Sequence, residues 1–195
     1  MAIEFVGFTD VCRISGAMPL ADDRLSDMLN SVARVVVRNV DVEEIDGGRA
    51  ERLDHVTVPT GEFLAVVGSG RRGLESQRRK TLKRRVRMGL GRYSVSGYLH
   101  VLESAHAESL NGRPDALLAG RDMLVPLTEA TIGYDRAGEN REETWETILI
   151  NRSRVAWIEA ADDDEQEPPD DNDTEARDAA IRSRFVKDFT GSVAD

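Results

Sequence analysis

The octapeptides Arg13-Ile14-Ser15-Gly16-Ala17-Met18-Pro19-Leu20 and Ser94-Val95-Ser96-Gly97-Tyr98-Leu99-His100-Val101 both alternate apolar with small or polar residues. That two-residue period is the mark of a β-strand with one buried face. They stand 81 residues apart, and the same displacement carries Ile14 onto Val95, Met18 onto Leu99, Leu20 onto Val101 and Asp27 onto Glu108. Leu29-Asn30 and Leu110-Asn111 then close a short polar stretch, each asparagine fourteen residues after its glycine. A strand, a short helix ending at Asn and further apolar strands, met twice, predict a tandem repeat.

Working outward, the first half offers further strands over 34–42 and 62–67, and the second over 123–134 and 147–150. Asp46-Gly47-Gly48 and Gly68-Ser69-Gly70 are turn signals, and Pro126 inside a strand-like run predicts an edge or a bulge. Asp22 or Asp23 is positioned to cap a helix through Asn30, with Leu25, Met28 and Leu29 facing inward. The expected fold is mostly β with short helices (α+β). It consists of two tandem small β-sheet or barrel-like repeats, a disordered acidic linker and a C-terminal helix. The corresponding segments are a first β-rich repeat at 1–70, a basic connector at 71–90, a second repeat at 91–159, the acidic linker at 160–173 and an amphipathic tail at 174–195.

Arg24-Leu25-Ser26-Asp27-Met28-Leu29-Asn30 and Met123-Leu124-Val125-Pro126-Leu127-Thr128-Glu129-Ala130-Thr131-Ile132 resemble an uncharacterised family of bacterial β-rich domains. The stretch from Ile148 to Ile158 is similar to the last strands of small β-barrel folds, in which an Asn-containing turn leads into the closing strand. The resemblance covers about 100 residues and implies a fold type and no activity. The Pro-Leu-Thr signature is missing from the first half at Arg34–Val37, and the Arg24–Asn30 signature is degraded in the second.

Charge is distributed unevenly along the chain. Formal net charge is −10, which argues against a nucleic-acid coat. Residues 71–92 nevertheless carry ten basic side chains against Glu75, whereas 159–175 carry ten acids and no base. Leu74 to Arg87 reads as an arginine-rich helix, and Arg78, Arg79, Lys80, Lys83, Arg84 and Arg85 are the candidate contacts for a polyanion or acidic partner. Beyond the acidic linker, Ile181, Phe185 and Phe189 recur every fourth residue on one helical face. An isolated helix of that length is marginal in water, which makes these three the candidate partner-binding residues.

Catalytic signals are sparse. His55, His100 and His106 are scattered; His100 and His106 with Glu103 or Glu108 make a weak metal set, set against ordinary polar-face histidines. Cys12 is the single cysteine, so no intrachain disulfide or cysteine–zinc cluster is expected. Gly68–Gly73 is glycine-rich but lacks the Lys-Ser/Thr ending of a phosphate-binding loop. The sequence predicts no cofactor, no metal, no membrane insertion and a cytoplasmic location. The expected function is a non-enzymatic protein-binding adaptor, assembly factor or scaffold subunit, with homo-oligomerisation open. A nucleic-acid-associated regulator using the connector is the alternative, and an enzyme with a site at the repeat interface is the third reading.

Overall fold

Strands form where β-branched and apolar residues alternate with polar ones, and they extend well past the predicted segments. The computed structural model describes residues 2–20, 24–68, 81–102 and 121–161, all within one compact unit spanning Met1–Asp162. The first half contains β1 (Ala2–Phe8), β2 (Cys12–Pro19), helix α1 (Leu25–Ser31), β3 (Arg34–Glu44), β4 (Ala50–Pro59) and β5 (Ala65–Gly68). The second contains β6 (Thr81–Leu90), β7 (Tyr93–Leu102), β8 (Leu124–Arg136), β9 (Glu139–Asn151) and β10 (Trp157–Ala160). A 3-10 turn precedes β5 at Thr60–Glu62, and another precedes β10 at Arg152–Arg154. Residues 162–173 of the predicted linker, the C-terminal helix, Asp22, Asp23 and residues 71–80 lie outside the described residues, whereas Ala160, where the linker was expected to begin, is the last residue of β10.

The chain is mostly β, but two separate small sheets are not what it forms. All ten strands of the described residues belong to one sheet, ordered β10-β6-β7-β8-β9-β5-β1-β2-β3-β4. The halves fuse because β5 has strands on both sides. It pairs with β1 (Phe8↔Ala65) and with β9 (Ala65↔Ile150, Val66↔Leu149). Residues 81–87, expected to be helical, are part of β6. Arginine has good helix propensity, but pairing over ten residues with β7 and burial of Val86, Met88 and Leu90 override that weak preference.

Registers in the two halves correspond. Phe5 faces Gly16 across β1–β2, and Val86 faces Gly97 across β6–β7. Pairing of β2 with β3 slips between Ser15 and Ala17, and pairing of β7 with β8 slips between Ser96 and Tyr98. Opposite each slip a residue takes positive φ, Asn39 at 49° and Glu129 at 50°. Each glycine permits close backbone approach. A Cβ would lie 2.7 Å from the Arg38 carbonyl oxygen at Gly16, and 2.9 Å from that of Thr128 at Gly97. The β5 partner of Phe8 is Ala65, and the β10 partner of Gly89 is Trp157.

Two apolar cores lie along the sheet. One is built from the first half, with Ile3, Phe5, Ile14, Met18, Leu29, Val37 and Phe63 among its members, and reaches Leu124 and Leu149 of the second. The other is built from β6–β9 and takes in Phe8, Ala65 and Val67 from the first. Helix α1 is only seven residues long, and Arg24 supplies no side-chain cap. Burial of Leu25 and Leu29 stabilises it instead, at about 1.5–3 kcal/mol for each side chain. Its last turn is tied across the halves: Asn30 Nδ2 donates to the Leu124 carbonyl (3.0 Å), and the Leu124 N–H donates to Asn30 Oδ1 (2.8 Å). Pro126 lies one residue past the last β7–β8 pair, Leu99↔Leu127. Its missing N–H therefore takes no bond from that ladder, even though β8 is a central strand.

Candidate functional site

Three places in the described residues bring polar chemistry together: the seam between β5 and β9, a cleft bridging the halves, and the outer face of β6 and β7. The seam is anchored by Asn151, which is fully buried. Its N–H donates to the Leu64 carbonyl (2.9 Å), and its Nδ2 donates to the carbonyls of Phe63 (2.9 Å) and Gly61 (3.3 Å). Its Oδ1 accepts from the Ser153 N–H and hydroxyl. A buried amide is tolerable only when paired in this way. Its donors hold the first half and its acceptor sets the turn into β10.

The cleft, about 300 Å³, is lined by Arg13, Glu43, Tyr134, Arg136, Arg141, Glu142 and Glu143. Arg13 from β2 donates through Nε to Glu143 Oε1 (3.0 Å) and through Nη2 to Oε2 (3.4 Å). Glu143 also accepts from the Tyr134 hydroxyl (2.8 Å), while Arg136 Nη1 donates to Glu43 (3.1 Å). Burial, then the bond to Glu143 and its charge, push the Tyr134 phenol up to about 12. It stays a neutral donor at ordinary pH. Three arginines and three glutamates leave the lining balanced, and Glu143 and Glu43 are each engaged with an arginine of the opposite half. This arrangement clasps the halves. It lies at the interface between the halves, and its residues are not legible as a group in the sequence because they lie up to 130 positions apart.

On the outer face, strand alternation divides the basic run. Lys83, Arg85 and Arg87 share the face of their β7 partners His100, Tyr98 and Ser96, and Arg84 falls on the opposite face. Lys83 pairs with Glu129 (3.2 Å) and lies 5.8 Å from the centre of the Tyr98 ring. Arg87 lies 6.0 Å from the Trp157 ring and 3.9 Å from Glu159. His100 bonds to Thr128 Oγ1 (2.8 Å) and Thr81 Oγ1 (3.2 Å). Burial, and secondarily Lys83, lower its pKa, with Glu129 opposing. Neither Tyr98 nor Trp157 interrupts the basic run in the sequence; strand pairing sets Tyr98 opposite Arg85 and Trp157 opposite Gly89.

Arg78, Arg79, Lys80, His106, Glu103, Glu108, Ile181, Phe185 and Phe189 lie outside the described residues. Cys12 is half-buried at the start of β2, its Sγ 3.3 Å from Thr9 Oγ1. Among the described residues no group of three or more His, Cys, Asp or Glu is arranged to hold a metal ion, and no helix is long and apolar enough to cross a membrane. Compared with known proteins, the chain matches no family model, no curated protein and no solved structure.

Proposed function

We propose that this protein is a scaffold subunit that binds other proteins, built from a duplicated five-strand unit whose two copies are fused edge to edge. The observation that carries the reading is the correspondence of the halves: the same strand order, the same slip at Gly16 and Gly97 and equivalent 3-10 turns. Sheet continuity, the Asn151 anchor and the Arg13–Glu143 clasp hold the two units in one fixed relation, which suits presentation of surfaces to partners better than movement around a substrate. In this proposal the tail supplies a further contact through Ile181, Phe185 and Phe189. Replacing Phe185 and Phe189 with Ala is expected to reduce partner recovery in affinity purification by about tenfold, equivalent to losing part of the burial of two large side chains, with the melting temperature unchanged. Undiminished recovery by the double variant would overturn the tail's role.

A second reading, association with nucleic acid, is favoured by one observation. Lys83, Arg85 and Arg87 share their face with Tyr98 and Trp157, the cationic and aromatic combination that single strands use. It predicts that the full chain binds single-stranded nucleic acid at low salt and that Lys83→Ala with Arg85→Ala and Arg87→Ala removes the binding. No binding by the wild-type chain at low salt would end this reading.

A further inference from the structure

The two halves are closed to different degrees. In the second half Tyr93, Ile132 and Ile148 are 2%, 0% and 0% exposed, in a core that takes in Phe8, Ala65 and Val67 from β1 and β5. The equivalent positions in the first half are Cys12, Val42 and Val56. These, with Leu53, are only partly buried at the margin of their core. At the far end of the sheet, β6 and β10 carry Gly89, Trp157 and Glu159 where β1 and β5 carry Phe8, Ala65 and Val67. Trp157 is 46% exposed. Among the described residues, β10 is paired only with β6, and β4 only with β3. Among the described residues, one end is a partly open core and the other a half-exposed aromatic, and neither β10 nor β4 has a partner on its outer edge.

We infer that the two ends are complementary and that a second copy of this chain joins them, β10 of one copy pairing antiparallel with β4 of the next. Resting on the duplication reading, the register follows the seam. Where Ala65 faces Ile150 and Val66 faces Leu149 within the chain, Trp157 faces Val58 and Ile158 faces Thr57 of the neighbour. Trp157 then covers Val56, Val42 and Cys12. Such a contact is heterologous, so it closes a ring or extends a filament.

The intermolecular joint is the weaker version of the seam. Pro59 stands where the seam has Asn151, so both the N–H to the facing carbonyl and the buried amide are lost. Thr57 and Arg34 stand where it has Leu149 and Leu124. Assembly is therefore reversible and concentration-dependent, and the proline and charge at the β4 edge restrain unlimited edge pairing.

Sedimentation of the full chain over a concentration series tests the inference, with Trp157→Arg to block the β10 end and Thr57→Pro to block the β4 end. The wild type is expected to gain mass with concentration. Each variant alone is expected to stay monomeric, with association weakened at least about tenfold, while an equimolar mixture forms dimers and nothing larger, because each variant keeps one intact end. Circular dichroism and melting of each variant establish that it is folded; Trp157→Ala and Thr57→Asp serve if either is not. In a Trp145→Phe background, fluorescence from Trp157 should shift to the blue as mass rises. Trp145 Nε1 is buried without a hydrogen-bond partner among the described residues, so the phenylalanine forfeits none there. A wild type that stays monomeric overturns the inference, and so does a Thr57→Pro variant that assembles as the wild type does, which would indicate β10 pairing with β10. Either result leaves the scaffold reading standing if partner recovery persists.

Discussion

Phe8 and Trp157 occupy opposite members of equivalent strand pairs and meet opposite fates. In β1–β5 the large residue is on the first strand and the small one, Ala65, on the second; in β6–β10 Gly89 is small and Trp157 large. Phe8 is fully buried, its ring 5.7 Å from Tyr93 and 6.1 Å from Tyr134. Trp157 lies over Gly89, where a Cβ would come within 2.1 Å of the indole. The same register therefore accommodates the bulk on either strand. Whether that bulk contributes to folding depends on what lies beyond it: a second half in one case, solvent in the other.

The sharpest way to break this comparison is to remove both rings. Phe8→Ala is expected to destabilise the monomer by about 3–5 kcal/mol, because it opens a cavity between two aromatics. Trp157→Ala should cost less than about 1 kcal/mol in dilute solution, as expected of a surface substitution. Chemical denaturation of both variants at low protein concentration measures the contrast, and equal losses would refute it.

Next in size are the two glycines. Gly16→Ala and Gly97→Ala each force a methyl against a backbone carbonyl that cannot yield as a side chain would. Each should lose about 1–3 kcal/mol, the usual cost of overpacking, and the two losses should be similar. A large loss at one site and none at the other would show that the bulges are not equivalent in function. Asn30→Ala removes two bonds between α1 and β8 and should cost about 1–2 kcal/mol by thermal melting. A larger loss would make that clasp, rather than Asn151, the main tie between the halves.

The smallest effects are those of pH. Tyr93, whose hydroxyl donates to the Thr9 carbonyl at 2.8 Å, and Tyr134 both have raised pKa values, chiefly through burial. Above about pH 10 the unfolded chain releases phenolic protons that the folded chain retains. Stability should fall there, and the Tyr134 share of the fall should disappear in Tyr134→Phe. At the acid side the sign comes from the base: folding lowers the His100 pKa, so the unfolded chain binds more protons just below the usual histidine value of about 6.5. Stability should decline slightly as pH drops through that value, and His100→Gln should flatten the decline. A pH series of melting temperatures measures both.

Much of the β character was legible because side-chain alternation reports directly on which face a strand buries. Strands at 12–19 and 93–102 follow it, and the glycines that mark the slips stood out. The start of β6, residues 81–87, reads as part of a helix because its basic residues obscure an apolar set confined to Val86, Met88 and Leu90. β4 was missed because Val56 and Val58 are diluted by charge. The merger into one sheet was not legible, since Ala65 and Val66 give no local sign that Ile150 and Leu149 will lie beside them. For the same reason the Arg13–Glu143 cleft and the grouping of Tyr98 and Trp157 with the basic residues emerge only from strand pairing. Helix α1 was expected from the spacing of Leu25, Met28 and Leu29, which does report on local burial.

The seam also sets an order in time. Ala65 and Val66 are synthesised 84 residues or so before their partners in β9, an interval of about 4–17 s at ordinary elongation rates. Throughout that wait the growing polypeptide displays an apolar β5 edge without its partner strand. On a polysome, where a neighbouring ribosome has already released β9, that edge can capture the strand of another molecule and yield an exchanged dimer. The vulnerable window closes once Asn151 has cleared the exit tunnel, so the yield of correctly paired molecules should depend on translation speed downstream of Gly68 as well as on the stability of the finished sheet.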